Sequence, residues 1–151
     1  MPTDTPLRVL IVDDHVGIRL GIERLIEAEA PRMRSVGAVA TPAEALAWTH
    51  LHQPHVVVLD VDLDGEDGLA LIPLLHRAAR CSVVVLTSLQ DPRVAERARL
   101  LGARHCLHKA APAGELLACI EATQQLADTE PGALPVNAGG LASYSAGSKH
   151  P

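Results

Sequence analysis

The stretch VVVLDVDLDGEDG, residues 56–68, sets five acidic side chains, Asp60, Asp62, Asp64, Glu66 and Asp67, within eight positions directly behind a solid apolar run. Carboxylates at this density can serve three chemistries. Asp60, Asp62 and Asp64 followed by Gly65 have the alternate spacing of oxygen ligands that opens a calcium loop. Asp60 as nucleophile with Asp62 as general acid would open a phosphatase. Asp60 alone, ending the apolar run, would present a carboxylate that accepts a phosphoryl group.

Counting tests the first. An EF-hand loop needs a bidentate Glu at its twelfth position, and starting from Asp60 that position is Leu71. The residues before Asp60, HVVVL, are also strand-like, whereas an EF-hand is entered from a helix. Elsewhere, Asp13 and Asp14 end the run LRVLIV, Thr87 and Ser88 close SVVVLTS, and Lys109 ends ARHCLHK. Each alone has an ordinary reading as a turn residue or helix cap. Together, two adjacent carboxylates, a third carboxylate, a hydroxyl and an ammonium make a site for a divalent cation and a phosphoryl group, and Mg²⁺ favours a few carboxylates, several waters and phosphate oxygens.

Elements that would bring these residues together are readable. The runs at 7–12, 55–60 and 82–87 are short, Val-rich and unalternating, the pattern of parallel strands buried on both faces. Weaker strands are expected at about 34–39 and within 103–109. Between them, Ile18, Ile22, Leu25 and Ile26 recur at helical spacing. TPAEALAWTHLH (41–52) opens with a capping-box pattern, Thr41 and Glu44, with Pro42 at the first helical position. DPRVAERARLLG (91–102) has Asp91 as N-cap, Pro92 behind it and Gly102 as C-cap. A last helix is expected at about 112–127. Pro73 should kink the third helix or delay its start, while Asp64, Glu66 and Asp67 should cap and solubilise it. Five strands alternating with five helices predict a doubly wound α/β sheet with helices on both faces. In such an open sheet ligands bind beyond the carboxyl ends of the strands, where the polar residues fall.

The 151 residues suit one domain, 1–127, followed at 128–151 by a flexible Pro/Gly/Ser/Ala-rich tail or truncated linker. No apolar run approaches the ~18 residues of a membrane helix, and MPTDTPLR lacks a signal core, so a cytoplasmic protein without membrane contact is expected. A net charge of −5, with Trp48 and Tyr144 as the aromatic residues, argues against a general nucleic-acid partner. Cys81, Cys106 and Cys119 lack metal-type spacing and read as reduced, mostly buried thiols. His50, His52 and His55 read as a solvated patch, and Arg93, Arg97, Arg99 and Arg104 as a solvated helix face.

In order, strand-end placement and spacing, residues 7 to about 127 resemble the receiver domain of a two-component response regulator. VLIVDDH resembles the family's metal-binding acid pair, VVVLD its phosphorylated aspartate, VVLTS its hydroxyl and small residue, and CLHK its lysine. The resemblance implies a flavodoxin-like, five-stranded parallel sheet of order 2-1-3-4-5. It implies Mg²⁺ held by Asp13, Asp14, Asp60 and the backbone carbonyl of Asp62, and a phosphoryl group passed to Asp60 from a phosphohistidine of a sensor histidine kinase or histidine phosphotransferase. Thr87 and Ser88 would sense that group and Lys109 would pair with it. The protein would be no enzyme beyond promoting its own phosphorylation and dephosphorylation.

DDHVGIRLGIERLIE looks most like regulators carrying a LuxR-type helix-turn-helix. The output is therefore either a switched surface that meets a downstream protein or a second copy, or transcription through a DNA-binding domain absent from these residues. Haloacid-dehalogenase-like phosphatases also have a strand ending in Asp-x-Asp, then a strand-end hydroxyl and a Lys, but their acid pair lies downstream of that Lys, whereas Asp13 and Asp14 lie upstream. Three positions depart from the receiver pattern. Cys106 stands where a switching aromatic ring is usual, Ala110 where a cis Pro follows the lysine, and Asp64 where Pro is common after the acceptor.

Overall fold

The structure, a computed structural model, describes residues 5–129. In chain order its elements are β1 (Leu7–Val12), α1 (Val16–Glu27), β2 (Met33–Val39), α2 (Pro42–His52), β3 (Val56–Asp60), β4 (Asp62–Leu63), β5 (Glu66–Asp67), α3 (Ile72–Ala78), β6 (Ser82–Thr87), α4 (Pro92–Leu101), β7 (His105–His108) and α5 (Ala113–Thr129). The main sheet runs β2-β1-β3-β6-β7 with every pair parallel. Numbered by main-sheet strands alone this is the expected order 2-1-3-4-5.

The sheet is buried on both faces, which is why its strands carry no polar alternation. Leu10, Val12, Val57, Leu59, Val83 and Val85 point to the side covered by Ala45 of α2, Leu75 of α3 and Ala98 of α4. The residues between them, Val9, Ile11, Val56, Val58, Val84 and Leu86, meet Ile22 and Ile26 of α1 and Leu116 and Ile120 of α5. Helix boundaries follow local chemistry. Thr41 Oγ1 accepts from the Glu44 backbone N–H at 3.1 Å, while Glu44 reaches back to the Ala40 N–H at 3.0 Å, one residue beyond the usual capping box. Asp91 caps α4 through the Arg93 N–H, and Gly102 ends it at φ 112°. Pro73 sits in the first turn of α3 behind a 3₁₀ turn at Gly68–Leu71, so the proline delays the helix and does not kink it.

Three expectations need correction. The acidic segment is not simply a cap for the third helix: β4 and β5 form an antiparallel ribbon whose turn places Asp64 at φ 57° and Gly65 at φ 88°, with Asp62 Oδ1 accepting from the Gly65 N–H at 2.8 Å. Asp67 does cap the following turn, through the Leu69 N–H. His55 is not part of a solvated patch, because its Nδ1 accepts from the Arg8 N–H at 2.9 Å at the sheet's amino edge. The arginines are not a plain solvated face either: Arg93 pairs with Asp91, Arg97 with Asp67 across to β5, and Arg99 with Glu96, whereas Arg104 lies past the end of α4. The last helix, expected at about 112–127, spans Ala113–Thr129, and residues 130–151 of the segment read as a tail lie outside the described residues. The cysteines are free and partly buried, and burial pushes each thiol up to about 11. Among the described residues no helix is long and apolar enough to cross a membrane.

Candidate functional site

Four parallel strands end at one edge, and the chain leaves each by a different route. After β1 the Asp13 N–H is held by the Val39 carbonyl at 3.0 Å, and the Asp13 carbonyl accepts from Arg19 of α1 at 2.8 Å. This clamp turns the Asp13 side chain inward, where it is 2% exposed. Asp60 ends β3 at 3% exposure. Beyond it, the Gly68 N–H donates to the Val61 carbonyl at 2.7 Å, folding the β4–β5 ribbon back so closely that a Cβ on Gly68 would lie 2.0 Å from the Asp60 carbonyl oxygen. After β7 the Lys109 N–H donates to the Thr87 carbonyl at 2.8 Å, which swings its side chain across the strand ends.

There the Lys109 ammonium donates to Asp60 Oδ2 at 3.1 Å and stands 3.0 Å from Asp13 Oδ2. The second contact is an ion pair without hydrogen-bond direction, since Asp13 Oδ2, like Asp14 Oδ1, is buried without a hydrogen-bond partner. His15 adds its ring: Nδ1 is 3.0 Å from Asp13 Oδ1, 3.1 Å from Asp14 Oδ1 and 4.0 Å from Asp60 Oδ2. The ligand atoms of Asp13, Asp14, His15 and Asp60 all lie within 4.8 Å of one another.

Electrostatics follow from that packing. Burial pushes the Asp60 carboxyl above the usual carboxylate range; the Lys109 hydrogen bond opposes this, and the charge of Asp13 reinforces it. Burial works against the Lys109 ammonium too, but its contacts with Asp13 and Asp60 outweigh it and hold the group above the ordinary lysine value. Three clustered carboxylates facing one ammonium leave an excess of negative charge, which a bound cation would offset.

Of the residues expected at the site, Asp13, Asp14, Asp60 and Lys109 are brought into contact. Thr87 is buried at the same edge, but its hydroxyl accepts from the Leu89 N–H at 2.9 Å. Ser88 is exposed beside it. Asp62 keeps its carboxylate outside, on the ribbon turn, while its N–H donates to Asp60 Oδ1 at 3.3 Å. Cys106 pairs in register with Val85 and packs on the α2–α4 side of the sheet. The Lys109–Ala110 bond is trans, the cis bond of the described chain being Ala30–Pro31. Sequence reasoning gave no role to His15, Arg19 or Gly68. His15 directly follows the acid pair and was the most legible of the three.

A doubly wound parallel sheet whose carboxyl edge gathers an acid pair, a buried aspartate and a lysine defines a receiver. The chain belongs to the response regulator receiver domain family, whose model matches residues 9–121. It is 38% identical over 107 residues to a protein-glutamate methylesterase/protein-glutamine glutaminase of Nitrobacter winogradskyi, covering 69% of this chain and 25% of that protein. It is 31% identical over 116 residues to the transcriptional regulatory protein PdtaR of Mycobacterium tuberculosis, covering 77% of this chain and 56% of that one. The chain thus spans only part of the relatives it matches. Among solved structures, a LuxR-family two-component response regulator from Aurantimonas sp. superposes with a TM-score of 0.71 at 30% identity, over 78% of this chain and 84% of that one. The signal receiver domain of the M. tuberculosis regulator NarL gives 0.71 at 25% identity, over 83% and 98%.

Proposed function

We propose that this receiver takes a phosphoryl group onto Asp60 from a phosphohistidine of a sensor histidine kinase or a histidine phosphotransferase, and responds by changing the protein surface it presents. The observation that carries this is the Lys109–Asp60 hydrogen bond at the edge where Asp13 and Asp14 also converge. A carboxylate oxygen of Asp60 attacks phosphorus, the bond from phosphorus to the donor's imidazole nitrogen breaks, and the ring departs with the electron pair and regains a proton. The product is an acyl phosphate on Asp60. Lys109 already holds one Asp60 oxygen and needs only a short shift to hold a phosphoryl oxygen instead.

Mg²⁺ is the cation assigned to Asp13, Asp14, Asp60 and the Asp62 backbone carbonyl, because it favours a few clustered carboxylates and hard oxygen donors, two of which, on Asp13 and Asp14, have no hydrogen-bond partner. When bound, it supplies charge neutralisation at the phosphoryl oxygens. Thr87 and Ser88 read the result: the Thr87 hydroxyl leaves the Leu89 N–H for a phosphoryl oxygen, and the loop after β6 moves with it. With a thiol at Cys106 in place of a ring, that loop carries the signal and β7 contributes little.

The reading is of a cytoplasmic regulator, not an enzyme, whose output is contact with a downstream protein or a second copy. A second reading, as the receiver portion of a DNA-binding regulator, draws support from the LuxR-family likeness and from PdtaR. The phosphoryl assignment is tested by incubating the chain with acetyl phosphate and weighing the intact protein. Wild type should gain the mass of one phosphoryl group, and Asp60→Ala or chelated protein should not. A gain that survives either change assigns the chemistry elsewhere.

A further inference from the structure

We propose that His15 is a nitrogen ligand of the cation site, making this receiver's site a mixed carboxylate–imidazole one that favours a borderline transition-metal ion such as Co²⁺ beyond what its oxygens alone would. This rests on reading Asp13, Asp14 and Asp60 as cation ligands.

The spacing carries the inference. An octahedral ion with donors about 2.1 Å away sets neighbouring donors about 3.0 Å apart and opposite donors about 4.2 Å apart. His15 Nδ1 lies 3.0 Å from Asp13 Oδ1 and 3.1 Å from Asp14 Oδ1, the separation of neighbours, and 4.0 Å from Asp60 Oδ2, close to the separation of opposites. The nitrogen thus lies at the separations a fourth donor would take, with the Lys109 ammonium, 3.4 Å from Nδ1 and beside Asp13 and Asp60, as the cation that an entering ion would have to displace. Its backbone is fixed: the His15 N–H donates to Asp13 Oδ1 at 2.9 Å, and the residue occupies the N-cap position of α1, without a side-chain cap bond, in ordinary extended backbone, φ −92° and ψ 117°. The side chain is 62% exposed, so the ring proton can sit on Nε2 toward solvent while Nδ1 offers its lone pair.

Imidazole adds little for a hard ion such as Mg²⁺ but suits first-row transition ions. The competing arrangement is a ring that keeps a proton on Nδ1 and donates it to Asp13. In that case the proton occupies the cation's place, and His15 opposes every divalent ion alike.

Titration calorimetry of the full chain with Mg²⁺, Mn²⁺ and Co²⁺, together with the visible absorption of the Co²⁺ complex, separates the two. His15→Phe keeps a ring of similar size and removes both nitrogens, and the exposed position should let it fold, checked by circular dichroism. The expected result is a loss of Co²⁺ affinity of roughly tenfold or more in His15→Phe, a smaller loss for Mn²⁺, Mg²⁺ affinity unchanged within about twofold, and altered Co²⁺ bands. An equal effect on all three ions, or none on Co²⁺ while Mg²⁺ still depends on Asp14, overturns the imidazole ligand alone. Absence of any divalent binding, or Mg²⁺ binding that survives Asp14→Ala, overturns the cation reading and the inference together.

Discussion

Lys109 and Asp60, forty-nine residues apart in sequence, are joined by a 3.1 Å hydrogen bond between side chains that are 13% and 4% exposed. The ammonium also stands beside Asp13 and is the cation that balances both buried carboxylates. Lys109→Met keeps the aliphatic stem and removes that balance. Stability in the absence of metal should fall by about 3 kcal/mol, the usual cost of breaking a buried pair from one side. Urea unfolding of both proteins measures it, and a loss below about 0.5 kcal/mol, the range of ordinary surface substitutions, would show that the lysine compensates nothing.

Asp60→Asn should act in the opposite direction, and its pH dependence follows from the carboxyl's raised proton affinity. A group whose folded value lies above its unfolded one favours the fold most when protonated, so its contribution is fully present below the ordinary carboxylate value and is lost as pH rises through the folded value. At neutral pH the asparagine variant should therefore melt higher than wild type. The gap should close as pH falls below about 3.9. Melting curves of both proteins across that range decide, and an advantage that widened in acid would contradict the assigned shift.

Gly68→Ala places a methyl group against the Asp60 carbonyl, a backbone atom that cannot rotate away. The variant should lose about 1–3 kcal/mol and accept phosphoryl from acetyl phosphate more slowly, because the ribbon can relieve the clash only by displacing Asp60. Full stability with an unchanged phosphorylation rate would show that the contact places nothing.

The amide of Leu89 should report the proposed switch. It donates to Thr87 Oγ1, and a beryllofluoride adduct on Asp60 should draw that hydroxyl away. Hydrogen exchange at 87–92 should change before that of β7, and Thr87→Ala should abolish the difference. A response centred on Cys106 and intact in Thr87→Ala would place the relay in the fifth main-sheet strand.

What could be read from the sequence was set by burial and by strand ends. Solid runs such as VVVLD announce strands covered on both faces, and the polar residue that stops each run marks the edge where ligands sit, so Asp13, Asp60, Thr87 and Lys109 were legible. Roles made by a contact distant in sequence were not. His55 looks like any histidine after a helix until Arg8 is beside it. Gly68 matters because a left-handed turn at Asp64 and Gly65 folds the chain back onto Asp60, and nothing in DLDGEDG fixes a two-residue ribbon. The Arg97–Asp67 pair likewise exists only once α4 packs beside the ribbon.

The all-parallel ladder has a kinetic consequence. No two neighbours in the main sheet are joined by a hairpin, so every pairing waits for a loop that contains a helix to close, and folding should run at the pace of mixed α/β domains and not of helical bundles. The site's carboxylates meet when neighbouring β1 and β3 pair, whereas Lys109, the cation that balances them, arrives only with β7, the last strand. The charge-balanced site is therefore complete only once β7 has docked. A divalent cation that binds the completed site should slow unfolding while leaving the refolding rate nearly unchanged, a division that stopped-flow measurements with and without metal would resolve.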